Sequence, residues 1–102
     1  MKILMVIAKE GFRDEEYHVP YEYFKDKDLE VDIASWEKGT CTGKYGMKTE
    51  ANLDFSEVNV GDYEAIVLVG GPGSHQLVAN KLLHDILKEA VEHNLVIAAI
   101  CY

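Results

Sequence analysis

A cysteine set directly after an apolar strand of small residues is placed to act as a nucleophile. Cys101 follows residues 95–100 (LVIAAI) in this way. A sharp strand-to-helix turn exposes such a sulfur. A helix N-terminus beyond it lowers the thiol pKa and enlarges the thiolate fraction, the reactive form. The same position also suits a small, inert, buried cysteine, and position alone does not separate the two. Glu16 stands near the start of a helix, where it could approach a sulfur at the strand edge. A carboxylic acid kept neutral there donates a hydrogen bond to a thiolate or moves a proton; a solvated acid favoured by the helix dipole is the plainer reading. The run Gly70-Gly71-Pro72-Gly73 lets backbone amides reach a ligand with no side chain in the way, as an oxyanion hole requires. It reads equally as a tight turn. It is not a phosphate loop, since no Gly-Lys-Ser/Thr follows, and Gln76 stands where a dinucleotide fingerprint needs its third glycine. His18, His75, His84 and His93 show no metal-ligand spacing. Of these, His75 alone falls beside the glycine turn; as surface histidines all four are unexceptional.

The elements that must position these residues alternate. Residues 2–8 (KILMVIA) form a near-continuous apolar run, as in a parallel strand buried on both faces. Residues 9–13 read as a short loop. From Asp14 the pattern is helical, with Tyr17, Tyr21 and Phe24 on one face and Asp14, Glu15 and Glu16 in the first turn. Pro20 predicts a kink or the effective helix start. Residues 29–36 alternate as a second strand. Residues 41–42 and 47–51 flank Gly43-Lys44-Tyr45-Gly46 as a hairpin, and 54–62 read as irregular. Ala65 to Val69 is another buried strand. Asn80 predicts an N-cap for a helix with Leu82, Leu83, Ile86, Leu87, Ala90 and Val91 on its apolar face. His93-Asn94 closes it, and 95–100 is a last buried strand. Strands alternating with helices imply a parallel α/β sheet, whose ligands bind beyond the carboxyl ends of the strands. No helix follows the last strand to cover it, so the sequence reads as a fold incomplete at its C-terminus. The missing part would then be a partner, supplied as a second chain.

With 102 residues, the chain is one domain's worth. Its 48% hydrophobic and 27% charged residues are globular proportions. The net charge of −8 argues against nucleic acid and against an anionic membrane surface. No signal peptide and no apolar run near the ~20 residues of a membrane span is present. Cys41 and Cys101 lie too far apart for a metal motif and make no disulfide framework. A reducing, cytoplasmic setting is expected.

The segments MKILMVIA, EGFRDEEYHVPYEYF, VDIASWEKGTCTGKYG, AIVLVGGPG and VIAAIC resemble the DJ-1/PfpI family in order and spacing, over essentially the whole chain. The most specific part is the combination of an acid four residues before Pro20, the Gly-Gly turn, and Ala-Ile-Cys after the last strand. The resemblance implies a flavodoxin-like parallel sheet sandwiched by helices, of the class I glutamine amidotransferase type, and a homo-oligomer. It implies Cys101 as nucleophile and Glu16 as its acidic partner. Gly71 and the Cys101 amide would form the oxyanion hole, with Gly70, His75 and Tyr102 as accessory residues. It implies no cofactor or metal. Two positions depart from the peptidase-like branch: Tyr102 replaces the histidine after the cysteine, and His75 replaces an acid. A tyrosine of pKa ~10 is a poor base at neutral pH. The expected function is therefore cysteine-dependent chemistry on small reactive carbonyls, glyoxalase- or deglycase-like. The alternatives are an intracellular cysteine peptidase or amidohydrolase, and a redox sensor in which Cys101 is oxidised.

Overall fold

The computed structural model describes residues 1–100. Its elements run β1 (Lys2–Val6), β2 (Glu10–Phe12), α1 (Asp14–Asp26), β3 (Glu30–Ser35), β4 (Gly39–Gly43) and β5 (Lys48–Ala51). Then come β6 (Leu53–Asp54), 3-10 turns at Phe55–Glu57 and Val60–Asp62, β7 (Ala65–Val69), α2 (Ser74–Val78), α3 (Lys81–Glu92) and β8 (Val96–Ile100).

Five strands make a parallel sheet in the order β6-β3-β1-β7-β8. β1 lies at its centre, which is why its run is apolar at every position: Leu4 through Ala8 are fully buried. α1 packs against β3 with Tyr17 buried and Tyr21 and Phe24 half-buried. It runs unbroken through Pro20 for 13 residues, so Pro20 does not mark its start. The Asn80 side chain accepts from the Leu83 amide at 3.0 Å, the expected cap of α3. Asn94 closes that helix in the left-handed conformation, φ 60°. Leu83, Ile86 and Ala90 are buried, while Leu82 and Val91 are exposed. The apolar face is thus narrower than its sequence, because α3 packs over the two 3-10 turns. Burying each leucine-sized side chain there stabilises by about 1.5–3 kcal/mol.

The parallel sheet forms as expected, and the hairpin β4–β5 forms where predicted, as an insertion outside that sheet. β2, within the stretch read as loop, pairs with β4 and builds a separate three-stranded sheet. The expected incompleteness at the C-terminus does not show as a break in the sheet among the described residues. All five strands of the parallel sheet are in register, and β8 pairs with β7 along its whole length, from Ala65↔Val96 to Val69↔Ile100. β8 was expected to be buried; Val96, Ile97, Ala98 and Ala99 are instead exposed, because β8 packs mainly with β7 and no described helix covers its faces closely. Among the described residues no helix is long and apolar enough to cross a membrane.

The opposite end of the sheet is held by one carboxylate. Asp32 accepts from the Tyr63 hydroxyl at 2.6 Å and from the Asn52 amide at 3.1 Å, and its Oδ2 lies 3.2 Å from Lys2 Nζ. Burial alone would raise the Asp32 pKa, but the three partners outweigh it and hold it below the ordinary 3.8. Those bonds contribute stability above the unfolded-state pKa, and it is lost as pH falls through the lower folded value. Asp32→Asn is expected to cost about 1–3 kcal/mol at pH 7. Urea unfolding at pH 7 and pH 3 checks this, and the gap to the wild type should narrow at the lower pH.

Candidate active site at the carboxyl edge of the sheet

β1 and β7 are parallel neighbours, so the segments that follow them emerge side by side. The segment after β1 carries β2 and enters α1; the one after β7 is the glycine turn. They are joined backbone to backbone: Arg13 N donates to Gly70 O at 2.8 Å, and Gly73 N donates to Gly11 O at 3.0 Å. Gly71 adopts φ +124°, and a Cβ there would lie 2.6 Å from both Arg13 N and Gly11 O. Only glycine permits this approach. The Gly71 amide donates to no group among the described residues.

Glu16 follows in the first turn of α1. Its side chain is only 10% exposed, and Oε2 lies 3.6 Å from Arg13 Nε. Oε1 is buried with no hydrogen-bond partner among the described residues. A buried carboxylate oxygen left unpaired is costly, so such an atom marks a place where a partner is expected. Arg13 Nε also donates to Glu15 Oε1 at 3.1 Å.

Outside the joined segments opens a cleft of about 640 Å³, a size suited to small molecules. Gly11 and Gly73 line it together with Glu10, Lys44 and His75. A second, apolar cavity of about 310 Å³ lies between the ends of β7 and β8 and the helices α2 and α3, against Leu77, Leu83 and Ile100. Cys41 is fully buried, and burial pushes its thiol pKa up, away from the thiolate. Among the described residues no group of three His, Cys, Asp or Glu side chains is arranged to hold a metal ion.

The profile of the DJ-1/PfpI family matches residues 1–102. The chain belongs to the DJ-1/PfpI family. It is 44% identical to the uncharacterized protein MJ0967 of Methanocaldococcus jannaschii over 98% of this chain and 49% of that protein. It is 38% identical to Deglycase PfpI of Pyrococcus furiosus over 100% of this chain and 61% of that protein. The ThiJ/PfpI domain protein from Brachyspira murdochii superposes with a TM-score of 0.92 at 31% identity, covering 96% of this chain and 57% of that one. The chain thus spans about half to three-fifths of the length of these relatives. Across that span it has the DJ-1/PfpI α/β fold.

Of the residues singled out in sequence, Gly70 and Gly71 lie in the joined segments, Glu16 follows in the first turn of α1 against Arg13, and His75, on α2, lines the adjoining cleft. Cys101 and Tyr102 lie outside the described residues. Sequence reasoning missed Asp14, which is buried and accepts from the amides of Tyr45 and Met47. It also missed β2. No local signal marks either, because both depend on contacts with the hairpin about 30 residues away. Gly71→Ala would force a Cβ onto two backbone atoms at a backbone angle unfavourable to it. The expected cost is about 2–4 kcal/mol, read as a lowered melting temperature.

Proposed function

We propose that this chain carries the reacting groups of a cofactor-free, cysteine-dependent enzyme acting on small 2-oxoaldehydes. The observation that supports this best is the buried Oε1 of Glu16, without a hydrogen-bond partner among the described residues, in the helix that begins at the segment joined to the Gly70-Gly71 turn. β8 ends at Ile100, in register with Val69, the residue before that turn, and Cys101 follows Ile100 in sequence. A thiol that follows the last strand in sequence, an acid in the first turn of α1 and a glycine amide with no acceptor among the described residues are the kinds of group that thiol addition to a carbonyl requires. Deglycase PfpI, by its name, acts on glycation chemistry, which starts from reactive carbonyls.

In this reading the Cys101 thiolate adds to the aldehyde carbon and gives a hemithioacetal. The Gly71 amide, with that of Cys101, holds the developing oxyanion. Glu16 takes the proton from the former aldehyde carbon and returns it to the neighbouring carbonyl carbon. The product is the thioester of a 2-hydroxy acid. Water cleaves it, releasing the acid and restoring the thiolate. The net change is addition of one water, with the aldehyde carbon oxidised and its neighbour reduced.

His75 at the cleft supports a second reading, a peptidase, but Tyr102 stands where that chemistry places a histidine. The test is conversion of methylglyoxal to lactate, with peptide cleavage measured on the same preparation. Cys101→Ala should abolish lactate formation, and Glu16→Gln should lower it by about 10²-fold or more. Lactate unchanged in Cys101→Ala rules out the carbonyl reading. Peptide cleavage lost in His75→Ala would favour the second.

A further inference from the structure

The turn between β4 and β5 forms one wall of the cleft, and it is fixed by a carboxylate from another element. Asp14, in the first turn of α1, is buried. Its Oδ1 accepts from Tyr45 N and its Oδ2 from Met47 N, each at 3.1 Å. Gly43 lies so close to Oδ1 that a Cβ there would collide with it. The turn is further closed by Gly43 N to Met47 O at 2.7 Å and Lys44 N to Phe12 O at 2.8 Å. The backbone of Lys44 is therefore held on both sides, while its side chain stays exposed on the cleft wall.

Lys44 is also electrostatically available. Lys2, Arg13, Lys38 and Lys81 are each paired with a carboxylate. Among the described residues Lys44 has none; its ammonium rests 5.3 Å from the centre of the Tyr45 ring. The cleft's other ionisable groups are Glu10 and His75. A chain of net charge −8 repels anions at long range, and salt screens that field beyond ~8–10 Å. An anion entering this cleft is thus selected by a cation fixed locally.

We infer that Lys44, set in place by the buried Asp14 carboxylate, is a specificity-determining contact for an anionic group on the substrate. Asp14 is a positioning residue acting through the turn. The inference rests on the carbonyl reading above and adds the charge of the substrate to it.

The test compares phenylglyoxal with 4-carboxyphenylglyoxal, a pair differing by one carboxylate. Lys44→Met should raise KM for the carboxylated compound by about 3- to 10-fold, the range of one exposed to half-buried ion pair. KM for phenylglyoxal and kcat for both should stay within about twofold on the same scale. Lys44→Arg should restore the preference. Asp14→Asn should shift KM the same way, and the double variant should lose no more than Lys44→Met alone. Equal changes for both compounds, or additive losses in the double variant, overturn the inference while leaving the carbonyl reading intact. If the wild type converts neither compound, the carbonyl reading fails, and Lys44 is judged by binding. Titration with 4-carboxybenzoate should then move the backbone amide resonances of Lys44 and Gly73 saturably in the wild type but not in Lys44→Met. Absence of such a shift overturns the inference.

Discussion

Everything at the functional edge depends on one close approach of backbone to backbone. The chain after β1 and the chain after β7 lie against each other with no side chain between them at Gly71. Hydrogen bonds from Arg13 to Gly70 and from Gly73 to Gly11 hold them there. Because Arg13 is also the residue that opens α1, the same contact sets where the first helical turn begins. Glu16 thus sits in a helical turn whose start is fixed by a pair of peptide groups, and its carboxyl, 10% exposed, lies against the Arg13 guanidinium.

The two ends of the parallel sheet solve different electrostatic problems. At one end Asp32 gathers a lysine, a tyrosine hydroxyl and a side-chain amide, so its charge is compensated. At the other, Asp14 spends both oxygens on backbone amides of the hairpin turn, while Glu16 keeps one oxygen unengaged among the described residues. Two acids two residues apart in one helical turn thus do unlike jobs. Asp14 faces the three-stranded sheet and fastens it; Glu16 lies against Arg13. A fully satisfied carboxylate stabilises, whereas an unsatisfied one is held ready at a cost borne by its surroundings.

Most of the scaffold was legible in the residues. The apolar run of β1 reported its central place, the Gly43–Gly46 turn reported the hairpin, and Asn80 with Asn94 bracketed α3. What the sequence did not disclose was partnership. Glu10–Phe12 carries no strand signature because β2 is a strand only by virtue of β4. β8 reads as buried because its residues are apolar, yet apolar composition does not say whether a layer covers a strand's faces. Asp14 looked like part of an acidic cluster suited to a helix dipole, and its true partners are two amides across the fold. The acid, the glycine pair and His75 were visible as types; that Lys44 and His75 line one cleft follows only from the fold.

Pro20 gives α1 a further property. A proline has no N–H, so the carbonyl of Glu16, four residues earlier, lacks its usual helical donor. The first turn is therefore joined to the rest of α1 by one bond fewer, while Arg13 and Asp14 tie it firmly to the two segments and the hairpin. Mechanically this is an isolation joint. Fraying that starts at the exposed far end of α1, around Lys25 and Asp26, has a weakened path toward Glu16. Glu16, in that first turn, therefore sits on the side of the joint tied to the loops and the second sheet.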